Sequence, residues 1–155
     1  MTEHDAVRQL LADRGCPEEL VRGGLPMLAE KWEAVVASIE GGYPFGLDDF
    51  LNDMDLRDAI AGALAVATPD ERSAVQPAID VLDRRLQAAS AASACLWGED
   101  VEEDDGLDPG REWWYYLRPL QLNEDFAAEL AAWGLLDDQA MDGNERSTND
   151  ERGSA

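Results

Sequence analysis

Residues 99–112 hold eight carboxylates and one arginine, the densest run of charge in the chain. Acids at that density suit three kinds of chemistry: ligating a divalent cation, acting as general acid and base, or presenting a negative surface. With Gly106 at the sixth position of a calcium loop, Glu103, Asp105 and Glu112 fall at the third, fifth and twelfth. The first position is then Val101, which has no side-chain oxygen, and the ninth is Pro109, so the spacing favours a solvated acidic loop over a calcium site. A second focus, residues 47–58, carries five aspartates and one arginine. There Asp49 and Asp53 stand four apart, where like charges on one helix face repel by roughly 0.2–0.5 kcal/mol. Asp48 and Asp55 read as helix caps in the same stretch.

Nucleophilic catalysis has little to work with. His4 is the single histidine and sits in a first turn, so no Ser-His or Cys-His pair can be assembled away from it. Neither GxxxxGK[ST] nor GxGxxG occurs. Close carboxylate pairs arise by chance among 34 acids and identify no acid–base site. Cys16 and Cys95 lack the spacing of a zinc site and read as reduced, small hydrophobes, with a disulfide between them left open. No cofactor is implied.

The other unusual stretch is residues 111–119, REWWYYLRP. As a helix it would align Trp113, Tyr116, Leu117 and Leu120 on one face, with Trp114 at the flank and Tyr115 nearly opposite Trp113. Extended, it would send Trp113, Tyr115 and Leu117 one way and Trp114 and Tyr116 the other. Four rings bring on the order of 600–1,000 Å² that need cover. Either they close the core as a plug, or one Trp and one Tyr stay outside as contact anchors.

These groups need a scaffold, and the apolar spacing is helical almost throughout. Val7, Leu10 and Leu11 form a first stripe that Gly15 ends, with Thr2 and Asp5 read as its cap. A short helical turn over residues 17–22 stops at Gly23-Gly24. Pro26 then starts a helix bearing Leu28, Trp32, Val35, Val36 and Ile39. From Leu47 the stripe changes phase near residues 52–55, which predicts two helices or a kink. Thr68-Pro69-Asp70-Glu71 is a capped start, and Pro77 should bend or restart the helix that follows. Residues 99–110 read as a loop. Asn123 caps a last helix bearing Phe126, Leu130 and Trp133, and Gly134 ends it. The expected fold is all-α, an irregular bundle of roughly five to seven helices over residues 1–136, with a disordered acidic tail at 137–155.

Twelve basic against 34 acidic side chains give a formal charge of −22. Such a surface repels phosphate backbones and anionic headgroups, so direct binding to nucleic acid or membrane is disfavoured. The first ten residues lack the basic and apolar segments of a secretory signal, which points to the cytoplasm. The leading expectation is a non-enzymatic module that binds a basic protein partner, of the immunity or antitoxin type, neutralising a cationic nuclease or imitating nucleic acid. Its candidate contact residues are Trp113, Trp114, Tyr115 and Tyr116, the acids Glu102, Glu103, Asp104 and Asp105, and Asp49 with Asp53. The alternatives are an acidic housekeeping domain of a high-GC or salt-adapted host, in keeping with eleven arginines to one lysine, or a carboxylate-metal protein.

Overall fold

The computed structural model describes residues 4–135, with side chains described from Ala6 onward. The cap assigned to Thr2 and Asp5 and the tail at 137–155 lie outside those residues. Within them the all-α expectation holds, with six helices, one 3-10 turn and one small ribbon.

Helix α1 (His4–Asp13) buries Val7 and Leu11 and is stopped by Gly15 at φ 79°, a conformation strained for residues with a Cβ. Helix α2 (Glu18–Glu40) is broken at Gly24 (φ 62°, ψ −153°), so the glycine pair and Pro26 act as a kink between a short arm and a long one. The long arm turns Leu25, Leu28, Trp32, Val36 and Ile39 inward.

Helix α3 (Leu47–Val66) departs from expectation, because it runs unbroken through residues 52–55. It lies at the centre of the bundle, packed by α1, α2, the aromatic turn and the last helix. Cover on several sides satisfies both apolar stripes, so the change of phase needs no kink. Gly46, not Asp48, occupies its N-cap, and Asp55 stands mid-helix. Helix α4 (Pro69–Ala88) opens on the expected capping box: Glu71 N donates to Thr68 Oγ1 at 3.0 Å and Thr68 N to Glu71 Oε1 at 2.9 Å. It does not restart at Pro77. Pro77 and Ser73 are both exposed, so the carbonyl that loses its amide partner faces water.

Strands β1 (Ser90–Ala92) and β2 (Leu117–Pro119) pair antiparallel, Ala91 opposite Arg118, and pin the neck of an excursion. That excursion carries α5 (Glu99–Asp105) and the 3-10 turn Trp113–Tyr116. Residues 99–105 are therefore a helix rather than the expected loop. Its first-turn acids Glu99, Asp100 and Glu102 sit where the helix dipole favours negative charge, and Gly106 (φ 66°) caps the end. Helix α6 (Glu124–Ala132) is capped by Asn123, which accepts from Phe126 N at 2.8 Å while its Nδ2 donates to the carbonyls of Tyr43 and Phe45. Phe126 meets Phe50 and Tyr43 with ring centroids 5.5 and 5.9 Å away. Trp133, expected on the buried stripe, is 75% exposed: it is the C-cap and has left the helical phase of Phe126 and Leu130.

Candidate functional site

Trp113–Tyr116 is neither α-helical nor extended. The 3-10 turn sends Trp114 (3% exposed) and Tyr115 (4%) into the core and leaves Trp113 and Tyr116 half-buried. The helical expectation put Trp113 and Tyr116 on one face with Tyr115 nearly opposite Trp113, and the extended one separated Trp114 from Tyr115; instead Trp114 and Tyr115 go inward together, which leaves them no exposed surface as contact anchors. The reason is what waits on α3. Arg57 is 7% exposed, its guanidinium carbon 4.7 Å from the ring centroid of Trp114 and 5.6 Å from that of Trp113. From α4, Asp83 receives Arg57 Nε and Nη2, both at 2.9 Å, and its Oδ1 also accepts from Trp32 Nε1 at 3.1 Å. One buried cation thus ties α2, α3 and α4 to the aromatic turn. Trp114 Nε1 and Arg57 Nη1 are buried without a hydrogen-bond partner among the described residues.

The tyrosines are held by carboxylates. Tyr115 OH donates to Asp55 and Tyr116 OH to Glu102, each at 2.5 Å, and Tyr43 OH donates to Asp53 at the same distance. Asp55 is therefore a tertiary acceptor and not a cap. Asp53 is turned onto Tyr43 while Asp49 points to solvent, so the two do not form one presented pair. Of the acids on α5, Glu102 is half-buried against Tyr116, and Glu103, Asp104 and Asp105 are exposed.

The Tyr115–Asp55 bond brings the two acidic foci of the sequence together. Asp55 and Asp58 from α3 join Asp105 and Glu112 in the lining of a cleft of about 380 Å³, with Trp97 and Tyr115 in its wall. Asp58 is paired with Arg14 at 3.0 Å. Arg111 also lines the cleft, but its Nη2 donates to the Gly106 carbonyl at 2.7 Å and its Nε lies 3.9 Å from Glu112. Glu112 Oε1 accepts from Asp108 N at 2.9 Å, closing the turn over residues 108–112. The calcium-loop register is not formed: Glu103 and Asp105 stand on a helix, and Glu112 is turned onto its own loop. Among the described residues no group of three or more His, Cys, Asp or Glu side chains converges to hold a metal ion. Cys16 and Cys95 are free thiols, and burial pushes the Cys95 thiol up.

Trp97, missing from the sequence-based candidates, is the half-buried indole of the cleft, its ring 6.2 Å from Tyr115. Its place one residue before Gly98 and the acidic run was the available signal. The exposed large apolar side chains lie elsewhere and include Phe45, Leu120 and Trp133.

Burial holds the carboxyls of Asp53 and Asp55 above the usual carboxylate range, against the opposing hydrogen bonds from Tyr43 and Tyr115. Burial first, then these carboxylates, pushes Tyr43 and Tyr115 far above the ordinary phenol. A group with a raised pKa in the folded chain adds stability that is complete below its unfolded value and lost as pH rises through the folded one. The two aspartates therefore favour folding increasingly as pH falls toward about 4, and the contribution of the two phenols declines progressively as pH rises above about 10. Urea midpoints at fixed ionic strength should gain from these carboxyls as pH falls toward about 4 and drop steeply above about pH 10. If replacing Asp53 and Asp55 by asparagine leaves the pH dependence of the midpoint unchanged, these carboxyls do not have that role.

No protein family, no curated protein and no solved structure matches the chain. No helix among the described residues is long and apolar enough to cross a membrane.

Proposed function

We propose that this chain is a non-enzymatic acidic binding module for a basic protein partner, acting in the cytoplasm as an immunity or antitoxin protein acts on a cationic nuclease. One observation carries the reading: acids separated by about fifty residues in sequence are folded into the lining of one cleft, together with Trp97 and Tyr115. The exposed Glu103, Asp104 and Asp105 lie at the C-terminal end of α5, where Asp105 lines that cleft. Its two arginine neighbours, Arg14 and Arg111, leave the cleft and the face of α5 with surplus negative charge. A cationic partner is drawn to that surplus by long-range attraction and then seats an apolar or guanidinium group against Trp97.

The test is association kinetics with deca-arginine as probe. Glu102 is left intact because it holds Tyr116. Neutralising Glu103, Asp104 and Asp105 to their amides should slow association by roughly tenfold at low salt, and added salt should slow the native chain steeply. A control that neutralises the exposed Glu30, Glu33 and Asp80 removes the same charge from α2 and α4. If that control slows association as much as the α5 variant, the attraction belongs to net charge and the cleft has no part in it.

A further inference from the structure

A cleft of about 750 Å³ lies away from the acidic one, among α1, the kink of α2 and the start of α4. Its volume is that of a small-molecule site. Val7, Leu25 and Val75 reach it from the core, and Pro26 and Ala74 extend the apolar wall. The kink keeps it open: Gly24 lines it, and a Cβ added there would meet no atom within 4 Å.

Charge sets this cleft apart from most of the molecule. Among the described residues Arg14, Lys31, Arg57, Arg85 and Arg111 each have a carboxylate within ion-pair distance, and Arg72 donates to the carbonyls of Leu64 and Ala67. Arg8 on α1, Arg22 on the short arm of α2 and Arg84 on α4 have no such partner among those residues; all three are exposed, and Arg8 and Arg22 line this cleft. That is unexpected in a chain with 34 acids, where an arginine finds a carboxylate easily. Of the two acids in the lining, Glu71 is turned onto the Thr68 amide by the capping box, and Asp70 is exposed at the rim.

We propose that this cleft binds a small amphipathic carboxylate, its hydrocarbon body against Val7, Leu25 and Val75 and its head between the guanidinium groups of Arg8 and Arg22. Guanidinium matches a carboxylate in a two-point geometry, and the apolar wall supplies the area a bare anion lacks. The site is built from different elements than the acidic cleft and does not depend on its function.

Calorimetric titration of the full chain with octanoate, acetate and octan-1-ol tests it. Octanoate should bind saturably, and acetate and octanol at least roughly tenfold more weakly, since each lacks one half of the match. Arg8→Ala with Arg22→Ala should weaken octanoate by roughly tenfold, and Asp70→Asn should tighten it. Ala74→Trp, at an exposed position of α4, should block binding by filling the cleft while leaving both arginines in place. No saturable octanoate binding would overturn the proposal, and so would an octanoate affinity unmoved by the arginine pair or by Ala74→Trp.

Discussion

Arg57→Ala is expected to destabilise the protein by about 3–5 kcal/mol, a large part of a total that for a domain of this size is about 5–15 kcal/mol. Three losses coincide at this position. The carboxylate of Asp83, only 14% exposed, is left without its bidentate partner. Trp114 and Trp113 lose the cation above their rings, and the volume of a buried side chain empties. The pair itself is weak evidence of stability; the cost comes from stranding one member. Hence Arg57→Met with Asp83→Leu should cost much less than the sum of the two single changes, because no charge then remains buried alone. Trp32 Nε1 loses its acceptor in the double variant, so recovery should be incomplete. Urea unfolding of the four proteins measures the coupling, and strict additivity would mean that Arg57 and Asp83 are not energetically joined.

Trp114→Ala is expected to cost a similar amount, about 3–5 kcal/mol, and Trp133→Ala no more than about 0.5 kcal/mol. Both are tryptophans near the C-terminal end of the described chain, but one is sealed beneath the excursion and the other stands in water. Since Trp114 Nε1 has no hydrogen-bond partner among the described residues, Trp114→Phe should cost less than half as much as alanine: it keeps an aromatic face for Arg57 and strands no acceptor. Equal effects at 114 and 133 would contradict the placement of both rings.

The parts of this fold legible in the sequence are those where local chemistry decides. Gly15, the Thr68–Glu71 box and the Asn123 cap each satisfy or redirect backbone groups within a few residues, and each appears as read. Features decided by distant partners were not legible. The change of phase at residues 52–55 looks like a break until other elements are known to cover both sides of α3. The acidic run 99–105 looks too repulsive to order, yet it lies between Gly98 and Gly106 and is tied by Glu102 to Tyr116. The inward pair of the aromatic turn was likewise left undecided between two arrangements, because Arg57 and Asp55, the groups that Trp114 and Tyr115 meet inside, lie some sixty residues away. For the site, charge density marked the acids correctly as clusters. Local sequence held no sign that the two clusters would meet, or that Trp97 would stand between them.

Hydrogen exchange of the full chain with and without deca-arginine tests most directly whether that meeting of acids is a binding surface. Amides of residues 99–112 should gain protection, and the exposed turns around Gly15 and Gly41 should not, with the effect abolished by neutralising Glu103, Asp104 and Asp105. Protection spread evenly over the exposed amides, or centred away from α5 and its following turn, would contradict it.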